Sequence, residues 1–299
     1  MKKVIAIDLG ATHLRVAVIN KEGEILTKKK ERTKKGDSGE IVTEQIKKQI
    51  SPLIDYEPKA ITIGSIGPFE QGGIVNPSNL DFNEVPLKQP IEEEFDLPVK
   101  LFNDCQAAVW GEKVYGAGKN YNNLVYITIS TGIGGGVIVG NHLLKGANNN
   151  AAEVGHQIIE EKYNFECNCG NFGHWEGIAS GDKIPRFFRT WLKEQNKEVK
   201  FQPKDTETIL SHKNNNTVEG FLKQLGKINA RAVSNLIVAY NPALITFGGA
   251  VLLNHPNVIL EPIKNNIDHF LKEPEMKVTP LGGDIILMGA AASYFNPPK

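Results

Sequence analysis

With 299 residues the chain is long enough for two domains of ordinary size, each with its own core. Its 34 Lys and Arg residues balance 34 Asp and Glu, so no net charge argues for nucleic acid or an anionic membrane as partner. Three cysteines, two of them one residue apart, exclude a secreted disulfide framework. The apolar run after Lys2-Lys3 is too short for a signal peptide or a membrane span, and the protein is expected in the cytoplasm.

The chain opens with two apolar strands, from Val4 to Ile19, folded about a turn that carries Asp8, Gly10 and Thr12. Glycine lets backbone N–H groups approach an anion, Thr12 adds a hydroxyl, and a carboxylate at a strand end can hold a divalent cation, so this turn suits phosphate. An ordinary β-hairpin fits the same residues. A turn at Lys21–Glu24 leads to a third strand, and the basic run 28–35 reads as a solvated edge strand. A helix through Ile41–Ile50 follows, then a strand at Ala60–Ile63 that ends in the turn Gly64–Pro68. A further strand, Val99–Phe102, delivers Asn103-Asp104 to a helix over Cys105–Tyr115.

A second copy of the opening unit begins at Leu124: an apolar run to Ile129, the glycine loop Ser130–Gly136, then Val137–Val139. Setting Gly10 on Gly132 lays strand on strand, which implies a duplicated domain whose two glycine turns grip one polyphosphate. Neither turn is followed by the Gly-Lys-Ser or Gly-Lys-Thr of a Walker loop. Further on, apolar residues from Val218 to Tyr240 recur with helical spacing up to Pro242, and Ala243–Phe247 reads as a strand ending in Gly248-Gly249-Ala250. The run Ile285–Ala292 reads as a closing helix. Strands alternating with helices, with glycine turns at strand ends, give an α/β layer fold with ligands beyond the strand termini.

Two constellations can carry chemistry. Asp104, where a strand meets a helix, reads as a helix cap or as a general base that takes a proton from a hydroxyl attacking a γ-phosphate, and the two roles are compatible. His156, Cys167, Cys169 and His174 offer ligands for a closed tetrahedral zinc site; a glycine-rich loop with reduced thiols is the alternative.

Taken together, Asp8-Leu-Gly-Ala-Thr12, Asn103-Asp104, Thr131-Gly-Ile-Gly-Gly-Gly136, Glu153-x-Gly-His156, Cys167-x-Cys-Gly-x-x-Gly-x-x-Glu176 with Ser180-Gly181, and Phe247-Gly-Gly-Ala250 resemble the ROK family. This family comprises sugar kinases and sugar-responsive repressors, and among them the chain is most similar to archaeal ATP-dependent hexokinases and glucokinases. The resemblance implies a two-domain, actin-like fold of the hexokinase and ribonuclease H type, with a ligand cleft between domains. Residues 1–104 and 286–299 would form the small domain and 105–285 the large one. It implies transfer of the γ-phosphate of Mg-ATP to the 6-hydroxyl of glucose and of related hexoses such as mannose, glucosamine and N-acetylglucosamine.

In that comparison Asp104 takes the place of the catalytic base, and Asn103, Glu153, His156 and Glu176, with Gly67 and Asn79, take those of the sugar contacts. Asp8, Gly10, Ala11 and Thr12 and Thr131, Gly132 and Gly134 correspond to the phosphate loops, and Gly248, Gly249 and Ala250 to the adenosine contact. Ala11 stands where the family has a second glycine, and His174 where it has a third cysteine. The ligand count is preserved if His174 turns inward, with a neutral imidazole of different reach in place of a thiolate. The expected partners are a hexose and ATP, with neither nucleic acid nor membrane, and the chain is expected as a monomer or homodimer. A sugar-sensing regulator would carry an additional N-terminal helix-turn-helix. A kinase restricted to N-acetylhexosamines is a further alternative, and a filament-forming ATPase would have no use for the Glu153–His156 cluster.

Overall fold

A computed structural model describes residues 1–298 apart from 71, 76–81, 269 and 271. Asn79, an expected sugar contact, lies outside the described residues. The chain divides into two compact units: residues 1–122, 136–151 and 284–299 form the first, and 123–135 with 152–283 the second. The expected boundary at Asp104 is thus not where the chain divides, because the helix after it and the segment 136–151 both stay with the N-terminal unit.

In the first unit, β1 (Lys3–Leu9) pairs antiparallel with β2 (His13–Asn20), and β2 with β3 (Ile25–Arg32). On its other side β1 runs parallel to β4 (Ile61–Ser65), and β4 to a strand at Val99–Asn103. A separate three-stranded sheet, β5 (Phe69–Glu70), β6 (Gly73–Val75) and β7 (Glu84–Pro86), precedes that last strand, β8. The five-stranded order is therefore β3-β2-β1-β4-β8. Val4 to Leu9 are buried without alternation, as expected of a central strand covered on both faces. One layer of cover is α1 (Glu40–Ile50), whose Val42, Ile46 and Ile50 recur at helical spacing and join the core of Ile5, Ile7, Leu14 and Ile63. Next come α2 (Lys88–Phe95) and α3 (Asp104–Val114).

The C-terminal helix, Ile285–Phe295, returns to this unit and packs on α3 through glycine. A Cβ on Gly289 would run into the Ala107 carbonyl, and one on Gly111 would stand 2.9 Å from the Ile285 carbonyl oxygen. The apolar run expected to close the fold does so by backbone approach.

The second sheet begins with β9 (Leu124–Ile129) and β10 (Ile133–Val139) and includes β11 (His142–Leu143). In the second unit, α4 (Trp175–Ala179), α5 (Ile184–Glu194), α6 (Thr206–Ser211) and α7 (Asn216–Tyr240) follow. Asn215 caps α7 by accepting from the N–H groups of Thr217 and Val218, and Asn241 ends it in the left-handed region before Pro242. Then come β12 (Leu244–Gly248), α8 (Ala250–Asn254), α9 (Pro256–Lys264) and β13 (Glu275–Val278). The sheet order, β11-β10-β9-β12-β13, repeats that of the first sheet, hairpin followed by parallel strands. The duplication read from the glycine turns is present.

Its register differs from the sequence alignment. β1 ends at Leu9 and β9 at Ile129, while β2 begins at His13 and β10 at Ile133, so Gly10 corresponds to Ser130 and Thr12 to Gly132. The second turn is Ser130–Gly132, and Gly134 to Gly136 belong to β10. Gly135 and Gly136 serve packing: a Cβ on the first would stand 2.8 Å from Val154, and one on the second would meet the Cys105 carbonyl.

Gly289→Ala is expected to lower unfolding stability by about 1–3 kcal/mol, the cost of forcing a methyl group into a filled contact. Urea denaturation measures it, and an unchanged midpoint would show that the two helices separate freely.

Candidate active site

In the first unit the candidate residues line the C-terminal edge of the sheet. Parallel pairing sets Leu9 beside Ser65 and Ser65 beside Asn103, so the turn Gly10–Thr12, Gly67 and Asp104 emerge from adjacent strands. Asn103, not Asp104, caps α3: its Oδ1 accepts from the N–H groups of Cys105 (2.9 Å) and Gln106 (3.1 Å). Its Nδ2 faces Gly67, where a Cβ would stand 4.0 Å away. A cavity of about 110 Å³ opens beside Asn103, with Phe102, Gln106, Lys145 and Asn149 in its wall.

Asp104 is the first residue of the helix, and its Oδ1 accepts from the Cys105 N–H at 2.7 Å. Burial raises its carboxyl above the usual range, only partly offset by those helix-end hydrogen bonds. The capping role read for Asp104 falls to its neighbour, which leaves Asp104 available as a base. Asp8, buried at the end of β1, pairs with Arg15 across the hairpin. Burial outweighs that ion pair and, with the negative charges of Asp104 and Asp284, raises Asp8 to about 6. Lys28 in turn pairs with Asp284 at 2.7 Å.

In the second unit, Glu153 precedes a 3₁₀ turn, Val154–His156. The turn begins after Glu153, and the His156 N–H donates back to the Glu153 carbonyl at 3.0 Å, which keeps the two residues close. Gly155 lets the turn lie against the second glycine loop, since a Cβ there would meet the Ile133 carbonyl. Glu176, buried on α4, accepts the Ile133 N–H at 2.8 Å and lies 3.8 Å from Cys167 Sγ. Its carboxylate fills the space that a Cβ on Gly132 would need. Thr131 is exposed in the same turn, and Gly134 is half-buried in β10. Beyond β12, Gly249 has φ +87° and would bring a Cβ against the Ile129 carbonyl, so only glycine serves there; Gly248 is buried against Tyr126 and Ala250 is exposed at the start of α8.

The four expected metal ligands come together in this unit. One ligand atom from each of His156, Cys167, Cys169 and His174 lies within 4.8 Å of the others. His174 does turn inward: its Nδ1 lies 3.2 Å from Cys169 Sγ and 3.3 Å from His156 Nδ1. Ligand bonds of about 2.0–2.3 Å in tetrahedral geometry demand separations close to these, so the donor set fits zinc. Burial, and the neighbouring His156, lower the His174 pKa, favouring the neutral imidazole that ligates. Arg186 secures the loop from α5, donating through Nη2 to the carbonyls of Glu166 (3.0 Å) and Gly177 (2.7 Å).

Residues 4–292 match the ROK family. The chain belongs to it. A glucokinase from Pyrobaculum calidifontis is 32% identical over an alignment covering 100% of this chain and 97% of that protein. A xylose repressor from Bacillus spizizenii is 31% identical over 88% of this chain and 68% of the repressor. Among solved structures, a ROK family glucokinase from Streptomyces griseus in complex with glucose and AMPPNP superimposes with a TM-score of 0.81 at 26% identity, over 97% of this chain and 98% of that one. The actin-like fold expected of a ROK sugar kinase is the fold observed.

Sequence reasoning did not single out Arg15, Arg186 or Asp284. Arg15 carried one usable signal, a cation on the strand directly opposite the phosphate-turn Asp8. Because Asp8 holds its proton longer in the folded chain than near pH 3.8 when unfolded, its contribution to stability falls as pH rises from about 4 to about 6. Asp8→Asn is expected to flatten that decline in denaturation curves taken across the interval. Equal slopes in both proteins would show that Arg15 neutralises the carboxylate fully.

Proposed function

We propose that this ROK protein is an ATP-dependent hexokinase of the glucokinase type, with Asp104 as general base. The observation that carries the mechanism is the β8–α3 junction: a carboxylate raised by burial, next to an asparagine whose carbonyl is spent on the helix and whose amide remains for a sugar. As O6 of the hexose attacks the γ-phosphorus, Asp104 accepts its proton, the bond from γ-phosphorus to the bridging oxygen breaks, and ADP leaves. A raised pKa moves the base toward the operating pH while keeping it strong enough to take the proton. Glucose is the substrate favoured by the glucokinase relatives; mannose, glucosamine and N-acetylglucosamine are included in the proposed range.

Asn103 and Gly67 are assigned to the sugar together with Glu153, His156 and Glu176, carboxylates and amides that suit a ring of hydroxyl groups. The turns at Gly10–Thr12 and Thr131–Gly132 are assigned to the phosphates, and Gly248–Ala250 to adenosine. Asp8, whose ionisation the negative charge of Asp104 makes costlier, offers hard oxygen donors fit for Mg²⁺, which when bound would neutralise charge on the transferring phosphoryl group.

Asp104→Asn is expected to lower kcat about 10²–10⁴-fold while glucose affinity stays within a few-fold, and to abolish the acid limb of the pH–rate profile. Wild-type turnover in a coupled assay of this variant would remove Asp104 from the chemistry. We also assign zinc to His156, Cys167, Cys169 and His174. His156 turns Nδ1 toward Cys167 and His174, which leaves Nε2 for the sugar. Elemental analysis of protein purified without chelator is expected to give one zinc per chain, and chelation to weaken glucose binding; well under one zinc with unchanged affinity would leave a metal-free scaffold.

A further inference from the structure

Thr33 is buried within a basic run that is otherwise exposed. It stands immediately after β3, and its N–H donates to the Thr12 carbonyl at 3.1 Å, extending the β2–β3 ladder by one step. Any residue except proline supplies that bond. The hydroxyl does something else: Oγ1 donates to the Gly10 carbonyl at 2.7 Å. Thr33 thus holds the first phosphate turn on both sides of Ala11. It is itself held from α1. Gln45, also buried, accepts the Lys34 N–H through Oε1 (3.0 Å) and donates through Nε2 to the Arg32 carbonyl (2.9 Å), so one side chain grips the residues before and after Thr33.

The consequence follows from peptide geometry. In a trans peptide the C=O of one residue and the N–H of the next point in opposite directions, so fixing the Gly10 carbonyl fixes the Ala11 N–H. The Gly10 N–H is already committed to the His13 carbonyl at 3.0 Å, and among the described residues the N–H groups of Ala11 and Thr12 have no protein partner. These are the donors left for an anion. Glycine at position 10 tolerates either orientation of the 10–11 peptide, so the hydroxyl selects the one with the Ala11 N–H turned outward.

We propose that Thr33, braced by Gln45, is a positioning residue that presets the first turn for the phosphates of the nucleotide. This rests on the reading of Gly10–Thr12 as a phosphate turn. Thr33→Val keeps the ladder bond and removes only the hydroxyl; it is expected to raise the KM for ATP about two- to tenfold, the size of one neutral hydrogen bond. The calorimetric Kd for glucose and the melting temperature are expected to stay near wild type, and Thr33→Ser to restore the KM for ATP. Gln45→Leu is expected to act in the same direction, and the double variant to be less than multiplicative because Gln45 acts through Thr33. Unchanged KM for ATP in Thr33→Val, no rescue by serine, or equal loss of glucose affinity overturns the assignment. If Thr33→Val melts early, Gln45→Leu decides by the same split between ATP and glucose. Thr12→Glu separates the two layers of argument by placing a carboxylate where phosphate would sit. Loss of ATP binding there with silent Thr33 variants refutes the clamp alone, whereas intact ATP binding removes the phosphate turn and the clamp with it.

Discussion

Leu9, Ser65 and Asn103 stand side by side because β1, β4 and β8 run parallel in strict register, and the geometry of the candidate site in the first unit depends on that row. Side chains alternate across a sheet, so a slip of one residue in β8 would move Asn103 off the edge and turn Asp104 to the opposite face. The register is enforced from inside. Ile61, Ile63 and Val99 are buried in the same core as Ile5 and Ile7, and exposing those three would cost about 5–9 kcal/mol, comparable to the whole stability of an ordinary domain. The placement of Asn103 and Asp104 is therefore a by-product of core packing, with the C-terminal helix locking α3 from outside through Gly111 and Gly289.

In the second unit a buried carboxylate plays the organising part. Glu176 touches the glycine turn through the Ile133 N–H and the cysteine loop through Cys167, so one buried side chain ties the second glycine turn to the loop that bears the two thiols. A carboxylate in that position is stable only while its donors stay in place, which makes the neighbouring turns interdependent. Glycines at 132, 155 and 177 are the steric counterpart, each letting backbone or carboxylate come closer than a side chain would permit.

Much of this was legible in the sequence, for identifiable reasons. The two hairpins, the long helix α7 and the closing helix announce themselves by apolar periodicity and by glycine or proline at their ends. The offset of the repeat by two residues was not legible, because Gly134 to Gly136 look like loop glycines and their use in β10 is set by Val154 and Cys105, distant in sequence. The choice of Asn103 over Asp104 as cap was equally hidden, since both residue types cap helices and only backbone geometry separates them. The three-stranded sheet β5–β7 consists of strands of two or three residues, too short for any period to register. Arg15 and Arg186 were missed because their work is done against carbonyls and a carboxylate that only folding brings near.

The grip of Arg186 prepares the cysteine loop for the zinc proposed there. Its guanidinium lies 4.3 Å from the centre of the Phe165 ring and holds the carbonyls of Glu166 and Gly177, which flank the segment bearing both thiols and His174. The two ends of that segment are fastened by the protein itself, so closing the loop costs little chain entropy when the ligands gather. A zinc ion bound at the four proposed ligands would meet a preformed cage, and its affinity would reflect coordination chemistry with little drawn off for ordering the backbone. In kinetic terms, exchange of such an ion would proceed by ligand substitution at a standing site, without waiting for the loop to unfold and refold around each arrival.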